Sequence, residues 1–61
     1  KNIHSVLDDI PGIGKVRRLS LLKTFGSIHG IKKASLEELE KTPSMNKKVA
    51  KAVYDYFNKK N

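Results

Sequence analysis

Apolar residues recur along this chain at helical spacing, in short runs separated by Gly, Pro, Ser and Asn. Ser5 precedes Val6 and Leu7, with Asp8 three residues on, which predicts a short helix capped by Ser5 and ending near Ile10. Pro11 and Gly12 stop it. Leu21, Leu22 and Phe25 share one face of a second helix, from Lys15 to about Phe25, with the Arg18 stem one turn earlier. Gly26 stands where a C′ residue closes such a helix. Ser27 opens a short helical segment with Ile28 and Ile31 pointing inward. Ser35-Leu36-Glu37-Glu38 reads as a capping box for a helix through about Lys41, buried by Leu36 and Leu39. After the break at Thr42-Pro43-Ser44-Met45, Asn46 is the expected cap of a last helix, Lys47 to about Asn58. Its inward face is Ala50, Val53, Tyr54 and Phe57. No segment has the alternation of a strand, so the predicted fold class is all-α, with four to five short helices.

The pattern repeats. With Ile10–Phe25 laid over Thr42–Phe57, Pro11 meets Pro43, Gly12 meets Ser44, Ile13 meets Met45 and Gly14 meets Asn46. Lys15 meets Lys47, Leu21 meets Val53, Leu22 meets Tyr54 and Phe25 meets Phe57. Turn, first basic residue and helix face recur together. Two helix–turn–helix hairpins are implied, at about 5–25 and 35–58, joined by a connector at 26–34. Neither buries enough apolar surface alone, and pseudo-twofold packing gives both one shared core.

Length and charge narrow the role. The chain has 61 residues, one small domain, and a domain of that size buries only about 60% of its unfolded surface, so its stability is expected to be modest. There is no cysteine to staple it, and two histidines far apart make no zinc pattern. The missing cysteine fits an intracellular protein. No apolar run approaches a membrane span, and nothing reads as a signal peptide. The chain is expected to be one domain of something larger. Its net charge of +7 suits a polyanion. An anionic membrane surface is the competing partner, but the apolar helix faces are needed for the core.

The charge is placed where it matters. In Ile10-Pro11-Gly12-Ile13-Gly14, two glycines flank one residue, and Lys15, Arg17 and Arg18 follow at once. Gly12 and Gly14 can take backbone angles closed to other residues and let a ligand approach closely. The first N–H groups of the Lys15 helix lack intrahelical partners and, with the helix dipole, favour a phosphate oxygen. Lys15 and either Arg18 or Arg17 can add charge-assisted hydrogen bonds. None of these groups reads a base edge, so binding is expected to be independent of sequence. The bland alternative is a tight connection between helices. The spacing matches neither a Walker A loop nor a dinucleotide-binding fingerprint.

Other residues add little chemistry. Asp8 and Asp9 read as cap and surface charge rather than a metal cage, because neighbours on a helix point about 100° apart. His4 and His29 lack nucleophile or carboxylate partners, and no carboxylate cluster suits two-metal cleavage. No catalytic residue and no metal ligand is expected. Tyr54 and Phe57 read as core rather than base-stacking rings, with Tyr56 on another face. Val16 and Leu19 stand outside the core stripe: either isolated exposed apolar residues or a contact for another domain or copy.

Leu7-Asp8-Asp9-Ile10-Pro11-Gly12-Ile13-Gly14, Arg17-Arg18, Leu21-Leu22-Lys23, Phe25-Gly26-Ser27 and Ala34-Ser35-Leu36-Glu37-Glu38-Leu39 closely resemble the C-terminal tandem helix-hairpin-helix domain of the UvrC family, over nearly the whole chain. UvrC proteins are the incision subunits of bacterial nucleotide excision repair. The resemblance implies a non-catalytic, DNA-binding domain of a cytoplasmic excision nuclease whose metal-dependent catalytic domains lie elsewhere. It implies a preference for junctions of single and double strand, as in a repair bubble, and support of incision. It carries the binding role onto Gly12, Ile13 and Gly14 with Lys15 and Arg17 or Arg18. In the second hairpin it carries the role onto Ser44, Met45 and Asn46 with Lys47 and Lys48. There Ser44 and Asn46 depart from the Gly-x-Gly pattern; Asn tolerates a left-handed backbone, and Ser can still hydrogen-bond. No cofactor is required, although some hairpins of this class hold a monovalent cation with turn carbonyls. The family works with UvrB through a separate region. Related tandem hairpins in XPF-type nucleases also dimerise, which is the alternative role that Val16 and Leu19 support.

Overall fold

A computed structural model of the protein describes residues 6–59. A single turn of 3-10 helix at Val6–Asp9 is followed by α1 (Lys15–Phe25), α2 (Ile28–Lys33), α3 (Leu36–Lys41) and α4 (Lys47–Asn58). The described residues contain no strand. Ser5, the expected first cap, lies outside them, and the segment after it is 3-10 rather than α-helical.

Local chemistry marks the end of α1 and the starts of α2, α3 and α4. The N–H of Gly26 (φ 84°) donates to the Leu22 carbonyl and closes α1. Ser27 Oγ accepts from the Gly30 N–H at the start of α2. Ser35 and Glu38 form the reciprocal capping box of α3, at 3.0 and 2.8 Å. Asn46 Oδ1 accepts from the Val49 N–H at 2.8 Å and caps α4. A cap of this kind contributes about 1 kcal/mol, which matters in helices as short as these.

The core is built from Leu7, Ile10, Ile13, Leu21, Ile31, Ala34, Leu39, Val49, Ala50 and Val53. Leu22, Phe25, Ile28, Leu36, Tyr54 and Phe57 pack half-buried against it, as their spacing predicts. Val49 belongs to the core although it lies beside the predicted stripe of α4. Gly30 has a packing role that its sequence context does not reveal. A Cβ there would lie 2.4 Å from the Phe25 carbonyl oxygen, so only glycine lets α2 fold this closely against the end of α1.

The repeat is visible in the backbone. Ile10 N–H donates to Leu7 O and Ile13 N–H to Ile10 O; in the second hairpin Thr42 N–H donates to Leu39 O and Met45 N–H to Thr42 O. Arg18 N–H to Gly14 O is matched by Ala50 N–H to Asn46 O. Thr42 takes the buried place of Ile10, and its hydroxyl is satisfied by the Glu38 carbonyl at 2.9 Å.

The hairpins pack with exchanged contacts. The first turn leans on α4: a Cβ on Gly12 would lie 3.1 Å from Val49 Cγ2. The second turn leans on α1: Ser20 Oγ donates to the Pro43 carbonyl at 2.6 Å. Each turn is thereby seated on the long helix of the other hairpin.

Candidate nucleic-acid interface

The first turn presents backbone where the core needs none. Gly12 and Gly14 are exposed, while the side chain of Ile13 between them is buried and anchors the turn. Only Gly12 is left-handed, at φ 89°. Gly14 does not take the unusual angles expected of it: at φ −105° and ψ −167° it is extended and serves as N-cap of α1. What glycine contributes there is bareness. Nothing lies within 4 Å of where its Cβ would be, and no side chain caps the helix. Arg18 is the first residue of α1 whose N–H bonds within the helix, to Gly14 O at 2.9 Å. The amides of Lys15, Val16 and Arg17 precede it, at the positive end of the helix dipole.

The second turn has the same path with different chemistry. It is Ser44, not Asn46, that takes the left-handed conformation, at φ 71°. Asn46 is extended like Gly14, but its side chain occupies the Val49 N–H. The amides of Lys47 and Lys48 are left at that helix end. The N–H groups of Ile13 and Met45 close their own turns on Ile10 O and Thr42 O, at 3.1 Å each. Those two residues hold the turns in shape.

The predicted cations divide into two groups. The side chains of Lys15, Lys47 and Lys48 are exposed and make no hydrogen bond or ion pair among the described residues. Arg17 and Arg18 are half-buried and engaged. Arg18 Nη1 pairs with Asp8 Oδ1 at 3.1 Å, which ties α1 to the opening 3-10 turn. Arg17 donates from Nε to the Ser44 carbonyl at 2.8 Å and from Nη1 to the Gly12 carbonyl at 2.9 Å. Adjacent arginines are indistinguishable by spacing, so this division was not legible in the sequence. The repeat held one clue: Val49 stands at the position of Arg17, and an apolar residue opposite a charged one marks where the two halves differ.

Two surfaces border the turns. Val16 and Leu19 are 67% and 51% exposed and, with Lys23, Pro43 and Ser44, line a groove between α1 and the second turn. Tyr56 is exposed at 40% and stacks edge-on against Phe57, with centroids 5.2 Å apart. Among the described residues, no group of three or more His, Cys, Asp or Glu could hold a metal ion. No helix there is long and apolar enough to cross a membrane.

Comparison with known proteins places the chain among relatives. The chain is 64% identical over 55 residues to the UvrABC system protein C of Clostridium acetobutylicum, a match covering 90% of the chain and 9% of that protein. It is 59% identical over 56 residues to the protein of the same name from Clostridium novyi, and 53% identical over 57 residues to that of Alkaliphilus metalliredigens. These matches cover 92% and 93% of the chain, and the chain spans only about 9% of the length of each relative. No solved structure matches significantly. The family model for the SAM-like helix-hairpin-helix tandem matches residues 5–59. With two helical hairpins around one core and a match over nearly its whole length, the chain belongs to the SAM-like helix-hairpin-helix tandem family.

Proposed function

We propose that this chain is a non-catalytic DNA-binding domain of a UvrC-type excision nuclease, binding the phosphate backbone without regard to sequence and favouring junctions of single and double strand. The observation that carries the reading is the open N-terminus of α1: bare Gly14, the amides after it, and beside them Lys15, whose side chain has no partner among the described residues. A second helix start, with Lys47 and Lys48, follows the second turn, and Arg17 holds the carbonyls of both turns at once, so two backbones can be gripped together. Gly12, Gly14, Lys15, Ser44, Asn46, Lys47 and Lys48 supply the contact surface, and Ile13 and Met45 anchor it. In the parent protein, which works with UvrB through another region, such a domain positions the nuclease for incision near a lesion.

Titration with a bubble, a plain duplex and a single strand at matched salt tests this. The bubble is expected to bind tightest, with a steep loss of affinity as salt rises. A bubble bound no better than the other two rules out the junction preference.

A second reading, a protein-interaction module, is favoured by the exposure of Val16 and Leu19 beside Pro43. It predicts self-association at high concentration; sedimentation as a monomer throughout counts against a homotypic contact.

A further inference from the structure

Gly12 and Ser44 are equivalent residues of the two hairpins, and both hold positive φ. The guanidinium of Arg17 donates to the carbonyls of both, at 2.9 and 2.8 Å. One side chain therefore grips the same point in each copy of the repeat. Gly12 is five residues away and Ser44 twenty-seven, so the second bond is the one that ties hairpin to hairpin.

We propose that Arg17 is a positioning residue that sets the separation of the two anion-binding turns, so that both can meet the strands of one duplex. The proposal rests on the DNA-binding reading above. A single phosphate can bind one turn whatever the spacing. Two phosphates on opposite strands are held together only when the separation of the turns matches that of the strands. A guanidinium suits this task because it is planar and rigid, with donors on more than one edge, so its own dimensions fix the distance between two acceptors. A lysine ammonium brings the same charge on a flexible stem, without the fork.

The repeat provides a contrast. At the equivalent position of α4, Val49 supports the first turn by packing alone, 3.1 Å from where a Gly12 Cβ would stand. The α1 side makes the polar contact instead, and it reaches both turns. Arg17 is half-buried between them, whereas Lys15, Lys47 and Lys48 remain exposed. The charge that meets solvent is carried by the lysines, and the arginine is occupied with geometry.

The test compares Arg17→Lys and Arg17→Gln with the wild-type 61-residue chain, using a plain duplex and a single strand of equal length at matched salt. Both variants are expected to lose about tenfold in duplex affinity, the scale of one broken network contact. Arg17→Lys is expected to keep its single-strand affinity within about twofold, and its full salt slope. Duplex binding by Arg17→Lys at the wild-type level, with a salt slope about one unit lower in Arg17→Gln, would make Arg17 an ordinary phosphate contact and overturn the proposal. Equal losses on duplex and single strand overturn it too, since they report general damage to the fold. A measurement on the wild type needs no variant to fold. The Arg17 Nε–H signal of the free protein is expected to exchange slowly with water and to hold its position as duplex is added. Rapid exchange in the free protein overturns the proposal. A wild-type chain that binds neither DNA defeats the underlying DNA-binding reading, and a slowly exchanging Nε–H then distinguishes that failure from loss of the Arg17 bonds to the two turns.

Discussion

Ser44 holds a φ of 71° at the place in the second hairpin where Gly12 holds 89° in the first. A residue with a Cβ is strained in that region by about 1 kcal/mol or more. Ser44→Gly is therefore expected to stabilise the domain, by about 0.5–1 kcal/mol once the greater freedom of the unfolded chain is subtracted. Gly12→Ala is expected to cost about 1–3 kcal/mol, because it adds the same strain and brings a Cβ to 3.1 Å from Val49 Cγ2. Urea unfolding checks both, and an unchanged midpoint for Ser44→Gly would remove strain from the account of the second turn.

Gly30→Ala tests a close backbone approach between α2 and the end of α1. The added methyl would sit 2.4 Å from the Phe25 carbonyl oxygen, an acceptor that cannot swing aside as a side chain could. A loss of about 2–3 kcal/mol is expected, from displacement of α2 and the buried Ile31 it carries. Wild-type stability in Gly30→Ala would show that α2 is free to shift without cost.

Exchanging the N-caps of the two long helices should exchange their properties. Gly14→Asn is expected to place a side-chain acceptor on the Arg17 N–H, strengthening the free protein slightly while weakening DNA binding. Asn46→Gly releases the Val49 N–H that Asn46 now occupies at 2.8 Å. It should cost only a few tenths of a kcal/mol, since glycine is itself an acceptable cap, and it should tighten binding. Affinity that follows side-chain charge alone, indifferent to these neutral exchanges, would dismiss the helix ends as ligands.

The exposed lysines make a simpler prediction. Lys15→Ala, Lys47→Ala and Lys48→Ala should each weaken binding by a similar factor on any sequence and lower the salt slope by about one. Lys41, paired with Glu37 at 3.3 Å on α3, is the control and should change neither.

Much of the fold was legible before any coordinate. Ser35 with Glu38, Asn46 and Gly26 are cap residues whose chemistry acts within four residues, and local chemistry is what a sequence displays. The register of the repeat held as well, down to matching turn hydrogen bonds. Contacts between distant segments were hidden. Gly30 looked like an ordinary residue of a short helix because the Phe25 carbonyl it accommodates is placed by the intervening bend. Arg17 and Arg18 looked interchangeable because only the docking of one hairpin on the other sends the first to Ser44 and the second to Asp8. In the second turn, the sequence suggested Asn46 for the left-handed position, but the repeat assigns that position by register rather than by preference, and Ser44 occupies it.

The bare start of α1 means that the free protein is less stable than its helices allow. Any anion that satisfies the amides after Gly14 completes the helix and shifts the folding equilibrium in the same act. At a concentration a hundred times its dissociation constant, a ligand of the native state adds about 2.7 kcal/mol, a large share of what a domain this small can hold in reserve. On the proposed function, DNA bound at this turn stabilises the domain that binds it, and the free chain is expected to be the more easily unfolded and degraded.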